Sequence, residues 1–336
     1  MVISKVQIDL QPWLVNAYQD LTLPLIQHRA HHALLIKYIS GSGEDDLINK
    51  LVMRLLCLEP QQNQPCYHCH SCQLFLAHNH PDFYRVELEK GKSSIGINQI
   101  RQTITKVYER AQQGGNKVIW IRIASLMTEA AANALLKTLE EPPENSYFIL
   151  SDRHDGQLLS TIRSRCLSYF VNMPDLENAS IWLKQHVLTN QFNDNELATA
   201  LLLNENAPLA ALSLLDSEHW QNRQQFYNHL YRNLTEKDLW ELRHDFINQE
   251  DVLIRLHWVN TLLVDALKAR HKSGRFIINR DHVPLVRLIA SFGNETIIQL
   301  YSIWNNARHQ LMTMTGLNQD LIISNLLAES EILLNA

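Results

Sequence analysis

Lys117–Pro143, KVIWIRIASLMTEAAANALLKTLEEPP, decides how this chain is read. The apolar run Val118–Ile123 predicts a buried strand, and Gly114-Gly115 supplies a turn just before it. The strand leads into a helix with Thr128 as its N-cap and Glu129 in its first turn. Pro142-Pro143 stops that helix, because proline has no N–H and clashes with the preceding turn. Working outward, apolar strands alternate with helices at Leu34–Ile39, Phe83–Leu88, Phe148–Leu150 and Leu167–Val171. That alternation predicts a parallel α/β sheet with crossover helices.

Beyond about Val171 the pattern changes. From Asp175 to about Asp216 it is helical and short, and a mixed, polar stretch, Ser217–Gln225, leads to a wholly helical remainder. In Asp251–His271 the residues Val252, Leu256, Val259, Leu263 and Leu267 form one apolar stripe at spacings of three and four. Asn294–Met312 and Gln319–Leu334 behave similarly, and the scattered tryptophans, such as Trp182, Trp220 and Trp258, read as core or interface packing. The fold class is therefore α/β followed by all-α.

Four of the five cysteines, Cys57, Cys66, Cys69 and Cys72, form a C-x8-C-x2-C-x2-C cluster. Thiolates at this spacing converge from a tight loop and the preceding helix to close a tetrahedron around zinc. A disulfide pair or four unlinked thiols is the plainer alternative, and His68, His70, His78 or His80 could replace one thiolate. A closed four-ligand site has no open position for water, so the zinc is expected to be structural. The absence of a regular disulfide framework or signal peptide points to a reducing cytoplasm.

Composition narrows the function classes. The 336 residues carry a formal charge of −5, a pI near 6.3 and 46% hydrophobic residues. No run of 18 apolar residues suggests a membrane span. A chain that grips DNA unaided usually shows a basic face. Beyond Arg163/Arg165 the basic cluster is Lys268–Lys272, which closes a helix whose C-terminal dipole favours cations, with a phosphate contact as its second reading.

ALLKTLEEPP resembles bacterial clamp loaders, the AAA+ machines that open and close the sliding clamp on DNA. The resemblance spans essentially the full length and is most specific in residues 32–166, where it also includes HHALLI, the zinc cluster and IGINQIRQ (Ile95–Gln102). In that family the strand before the helix ends in Asp-Glu, for magnesium and the attacking water; here Arg122 and Ile123 stand there. HALLIKYISGSGEDDL (His32–Leu47) aligns with the phosphate loop. Gly41 and Gly43 remain, but Tyr38 replaces the first glycine, Glu44 the lysine and Asp45 the hydroxyl residue. Two carboxylates there repel a triphosphate. On residues alone, GSG also reads as an ordinary strand-to-helix turn with acids at the helix start. Asp152 and Arg153 fall at a polar sensor threonine, Leu209 at the lid's sensor arginine and Ala210 at the following aspartate.

The resemblance implies a subunit that binds no ATP but completes a neighbour's site. YFILSDRHDGQLLSTIRSRC (Tyr147–Cys166) ends in the family's Ser-Arg-Cys, whose arginine enters the adjoining subunit's ATP site. On this match Arg165 is the arginine finger, held by Ser164 and Cys166, with Arg163 the lesser candidate and Cys166 a small packed side chain. The implied domains are an AAA+ α/β domain over 1–171 with a zinc module at about 57–80, a helical lid over 172–216, and a collar over 217–336. The implied partners are the gamma/tau motor subunits and the delta subunit, with the sliding clamp and primed DNA indirectly engaged and no membrane. No intrinsic ATPase activity is expected. An active ATPase with an aberrant loop and a zinc-dependent DNA-binding protein are the competing readings.

Overall fold

The apolar runs of the first half pair side by side as one sheet. The computed structural model describes residues 7–187, 191–216, 218–246, 251–313 and 317–335. The chain divides between Pro174 and Asp175 into two compact units. The first begins with α1 (Leu14–Ile26), β1 (Ala33–Tyr38), α2 (Glu44–Leu56) and α3 (His70–Leu76). It continues through β2 (Phe83–Val86), α4 (Ile97–Tyr108), β3 (Lys117–Arg122) and α5 (Glu129–Glu140). β4 (Ser146–Arg153), α6 (Ser160–Arg163) and β5 (Leu167–Phe170) complete it.

The strands form a five-stranded sheet in the order β2-β3-β4-β1-β5, with every neighbouring pair parallel. Leu34 lies opposite both Ile149 and Leu167, and Ile121 opposite Leu150. Successive side chains leave a strand on opposite faces, and helices cover both faces, so the central strands β1, β3 and β4 are mostly apolar and buried. Ile36, Trp120 and Ile149 pack with α1 and α2, whereas Leu35, Ile119, Phe148 and Leu150 pack with α4 and α5. Residues at the C-terminal strand ends therefore gather along one edge, where Tyr38, Arg122 and Asp152 fall, while Arg165 and Cys166 precede β5 at the opposite edge.

Thr128 caps α5 as its sequence predicts, its Oγ1 accepting from the Ala131 N–H at 3.2 Å. The strand before it ends one residue earlier than the apolar run, because Ile123 takes a left-handed φ of 54°. That conformation is costly for a β-branched side chain.

The second unit is helical among its described residues. α7 (Leu176–His186), α8 (Asp194–Leu203) and α9 (Pro208–Leu215) pack on one another. α10 (Glu218–Glu236), α11 (Arg243–Phe246), α12 (Val252–Arg270), α13 (Val283–Ala290), α14 (Asn294–Thr313) and α15 (Gln319–Asn335) surround a second core. α12 runs through it and buries Leu256, Trp258, Leu262 and Ala266. Lys268 and Arg270 at its end are structural: Lys268 Nζ meets Asp265 and the Phe276 carbonyl, each at 2.9 Å, and Arg270 meets Asn294 at 2.6 Å.

The polar reading of Ser217–Gln225 is corrected for 218–225, which lie within α10; Ser217 is outside the described residues. Trp220, Arg223, Phe226, Tyr227 and Leu230 form its buried stripe, and an arginine inside that stripe masks the periodicity. Arg223 is fully buried. Its Nη1 donates to Asp281 at 2.6 Å and its Nη2 to Asn279 at 2.8 Å, and the Tyr227 hydroxyl donates to the same Asn279 oxygen at 3.0 Å.

Removing one partner of a buried ion pair leaves the other charge uncompensated. Arg223→Ala is therefore expected to cost about 3–5 kcal/mol. Denaturant unfolding of the full chain, followed by tryptophan fluorescence, checks this; a cost below about 1 kcal/mol would show that the pair is dispensable.

Candidate functional site

β1 turns into α2 through Ile39–Gly43, where Gly41 and Gly43 take φ of 81° and 86°. These left-handed conformations explain the two glycines that survive in GSG. The first turn of α2 then presents Glu44, Asp45 and Asp46. Acids are favourable at a helix N-terminus, but they occupy the place where backbone N–H groups would receive phosphate.

The end of β3 reaches the same place. Arg122 Nη2 lies 2.6 Å from Asp45 Oδ2, so two residues expected at ATP-handling positions pair with each other. Glu44 accepts from the Ser42 hydroxyl at 3.1 Å, and burial raises its pKa above the usual carboxylate range. The Tyr38 phenol is pushed up to about 12, chiefly by burial and then by Glu44. The charge of Asp45 is thus matched from within the chain.

At the end of β4 Asp152 is fully buried. Its carboxylate accepts from Lys37 Nζ at 3.0 Å and from the Ser125 hydroxyl at 2.7 Å. Lys37 also donates to the carbonyls of Arg153 and Gly156, at 3.0 and 2.9 Å. Gly156 is required by this crowding: a Cβ there would sit 2.4 Å from Asp152 Oδ2. The expected sensor position is a structural ion pair. Leu209 and Ala210 lie in α9 of the second unit, both half-buried.

The chain then enters α6 and the triplet Ser164, Arg165 and Cys166. Cys166 is partly buried against the sheet's second core, and burial pushes its thiol up to about 11. Ser164 caps α6 and donates to the Thr161 carbonyl at 3.1 Å. Arg165 is partly exposed, with Nε 2.7 Å from Glu140 Oε1, Nη2 on the same oxygen, and Nη1 2.9 Å from the Thr161 carbonyl. Arg163 is exposed and, among the described residues, its side chain makes no hydrogen bond or ion pair. Sequence reasoning missed Glu140 as the partner of Arg165, since the two stand 25 residues apart. The acid at the end of the LEEPP helix was the available signal.

The four cysteines converge. Cys57, Cys66, Cys69 and Cys72 are all buried, and their sulfurs lie within 4.8 Å of one another. The Cys57–Cys69 and Cys66–Cys72 separations are 4.0 and 3.9 Å. Tetrahedral thiolates around zinc stand about 3.8 Å apart, so the set fits one ion of that size. Backbone N–H groups of Cys66, Cys69 and Cys72 donate to Cys57, Cys66 and Cys69 at 3.3, 3.3 and 3.5 Å, which favours thiolates. Tyr67, at φ 61°, makes the turn between the first two of these bonds. Of the interspersed histidines, His80 is committed to the Ser71 hydroxyl at 2.7 Å and the Asp82 N–H at 3.1 Å. His68 groups with Glu59 and the buried Cys66 as a second set in which His68 and Glu59 are exposed, whereas His70 and His78 join neither.

The family described as "DNA polymerase III, delta subunit" matches residues 14–175, and "DNA polymerase III, delta subunit, C terminal" matches residues 217–331. The chain is 43% identical over 316 residues to DNA polymerase III subunit delta' of Yersinia pestis, covering 93% of each. It is 40% identical over 321 residues to the subunit delta' of Escherichia coli (strain K12), covering 95% of each. It is also 28% identical over 213 residues to DNA polymerase III subunit tau/gamma of Haemophilus influenzae, covering 62% of this chain and 30% of that one.

Cys69→Ser should lower bound metal, measured by elemental analysis, and raise amide exchange across residues 57–80 while leaving the sheet protected. Full metal stoichiometry in that variant would remove Cys69 from the ligand set.

Proposed function

The chain belongs to the DNA polymerase III subunit delta' family, and from that premise we propose that it is a clamp-loader subunit that hydrolyses no ATP itself and completes a neighbouring motor subunit's ATP site in trans. The observation that carries this reading is a contrast between the two edges of one sheet. The chain's own phosphate position is filled by the Arg122–Asp45 pair, while Arg165 stands partly exposed in its Ser-Arg-Cys triplet. Likeness to a tau/gamma subunit supports a motor of the same ancestry as the neighbour.

In this reading Arg165 contacts the triphosphate bound by the adjoining gamma/tau subunit. A guanidinium is always charged and forks onto two oxygens, so it favours the ATP-bound interface and stabilises charge developing at the γ-phosphate. Primed DNA entry sets the sites for hydrolysis. Loss of the γ-phosphate contact loosens the interface and leaves the clamp on DNA, a population shift driven by differential contacts. The delta subunit opens the clamp in the same assembly, and the compartment is the cytoplasm.

The four-cysteine site is assigned a structural zinc, on the strength of its all-sulfur donors and its lack of an open position. Ser164 and Cys166 position Arg165. Residues 172–216 serve as lid and 217–336 as collar.

Arg165→Ala in a reconstituted loader tests the proposal. DNA- and clamp-stimulated ATP turnover should fall by roughly tenfold or more with assembly intact. Unchanged turnover would reduce this chain to a scaffold. The purified chain alone should show no saturable ATP binding; tight binding would instead make it an ATPase with an aberrant loop.

A further inference from the structure

The guanidinium of Arg165 offers five N–H groups on distinct edges. The side-on edge, Nε–H with Nη2–H, is given to a single oxygen, Glu140 Oε1. One N–H of Nη1 donates to the Thr161 carbonyl at 2.9 Å. Nη1 also donates to Ser164 Oγ, a long bond at 3.4 Å, whereas the second N–H of Nη2, on the end-on edge between the terminal nitrogens, has no partner among the described residues. That edge takes two oxygens of a phosphate group in parallel. Arg165 is thus gripped by Glu140 on its side-on edge and held less tightly on the end-on edge that a phosphate would use.

Glu140 suits this task by its place in the fold. It is the last residue of α5, directly before Glu141 and the prolines that end the helix. Its backbone is therefore fixed, and the α5 C-terminus adds partial negative charge that favours a nearby cation. Both side chains are partly exposed, at 33% for Arg165 and 48% for Glu140, so the pair is worth little as a fold-stabilising contact. Its value lies in direction: an unpaired arginine samples many rotamers, and a side-on carboxylate selects one.

We propose that Glu140 is the positioning residue for Arg165, holding the side-on edge so that the end-on pair is presented to a triphosphate of the adjoining subunit. The inference rests on the reading of Arg165 as a trans-acting finger. It differs from a lock, in which Glu140 would sequester Arg165 and have to let go.

The test uses the reconstituted loader with Glu140→Gln, Glu140→Asp, Arg165→Ala and the double variant Glu140→Gln/Arg165→Ala. Glu140→Gln should lower kcat by roughly tenfold with a smaller change in KM for ATP, since a misdirected finger costs chiefly transition-state contacts. Glu140→Asp should recover part of the loss, and the double variant should be no worse than Arg165→Ala alone. Full turnover in Glu140→Gln beside a slow Arg165→Ala would overturn the positioning role and leave the finger standing. Faster turnover in Glu140→Gln would identify a lock instead, and additive losses in the double variant would mark Glu140 as independent of Arg165. Undiminished turnover in Arg165→Ala would remove the finger and the role of Glu140 together.

Discussion

The Lys37–Asp152 ion pair governs how the chemistry-bearing end of the sheet is assembled. It joins the C-terminal ends of β1 and β4, and through Ser125 it reaches the turn that follows β3. A fully buried carboxylate is tolerated only where donors replace its lost hydration, and Asp152 has both an ammonium and a hydroxyl. Lys37 also holds the carbonyls of Arg153 and Gly156, at the start of the loop that leads to α6. A group answering to a γ-phosphate must change partners with nucleotide state, whereas Asp152 is saturated by the chain itself.

The same substitution of internal partners for ligand occurs at the phosphate loop. Three acids in the first turn of α2 would repel a triphosphate, and they would also repel one another unless compensated. Arg122 supplies the counter-charge from β3, and Ser42 bonds Glu44. Asp45 and Arg122 are partners for each other and Glu44 is bonded to Ser42, so contacts within the chain hold the strand-to-helix turn.

The sheet was legible in the sequence because both of its faces are covered, which makes the strands continuous apolar runs separated by helices. The α5 boundaries were legible because Thr128 and the two prolines act locally. The cysteine spacing announced the metal-capable cluster for the same reason. What stayed hidden depends on contacts between distant residues. Asp152 looked like a failed sensor until Lys37, 115 residues away, was seen beside it. Arg223 broke the stripe of α10 because its partner Asp281 lies 58 residues on. Periodicity records which side of a helix is buried, not whether a charge buried there has been matched.

α2 ties these observations together. Its N-terminus is held by the Arg122–Asp45 pair, and its C-cap is Cys57, one of the four converging sulfurs. The cysteines belong to the same core as Leu47, Leu51 and Tyr18, and the Tyr18 hydroxyl reaches the Asn63 carbonyl in the intervening loop at 2.6 Å. Ser71 bonds the Leu56 carbonyl at 2.6 Å, closing the last turn of α2 onto α3. A helix whose N-terminus must sense phosphate needs freedom to shift with nucleotide state. Here both ends are fastened, by an ion pair at one and by the cysteine cluster at the other. On the proposed reading, a sheet fastened in this way suits a subunit that holds an arginine for a neighbour's nucleotide rather than one that answers to its own.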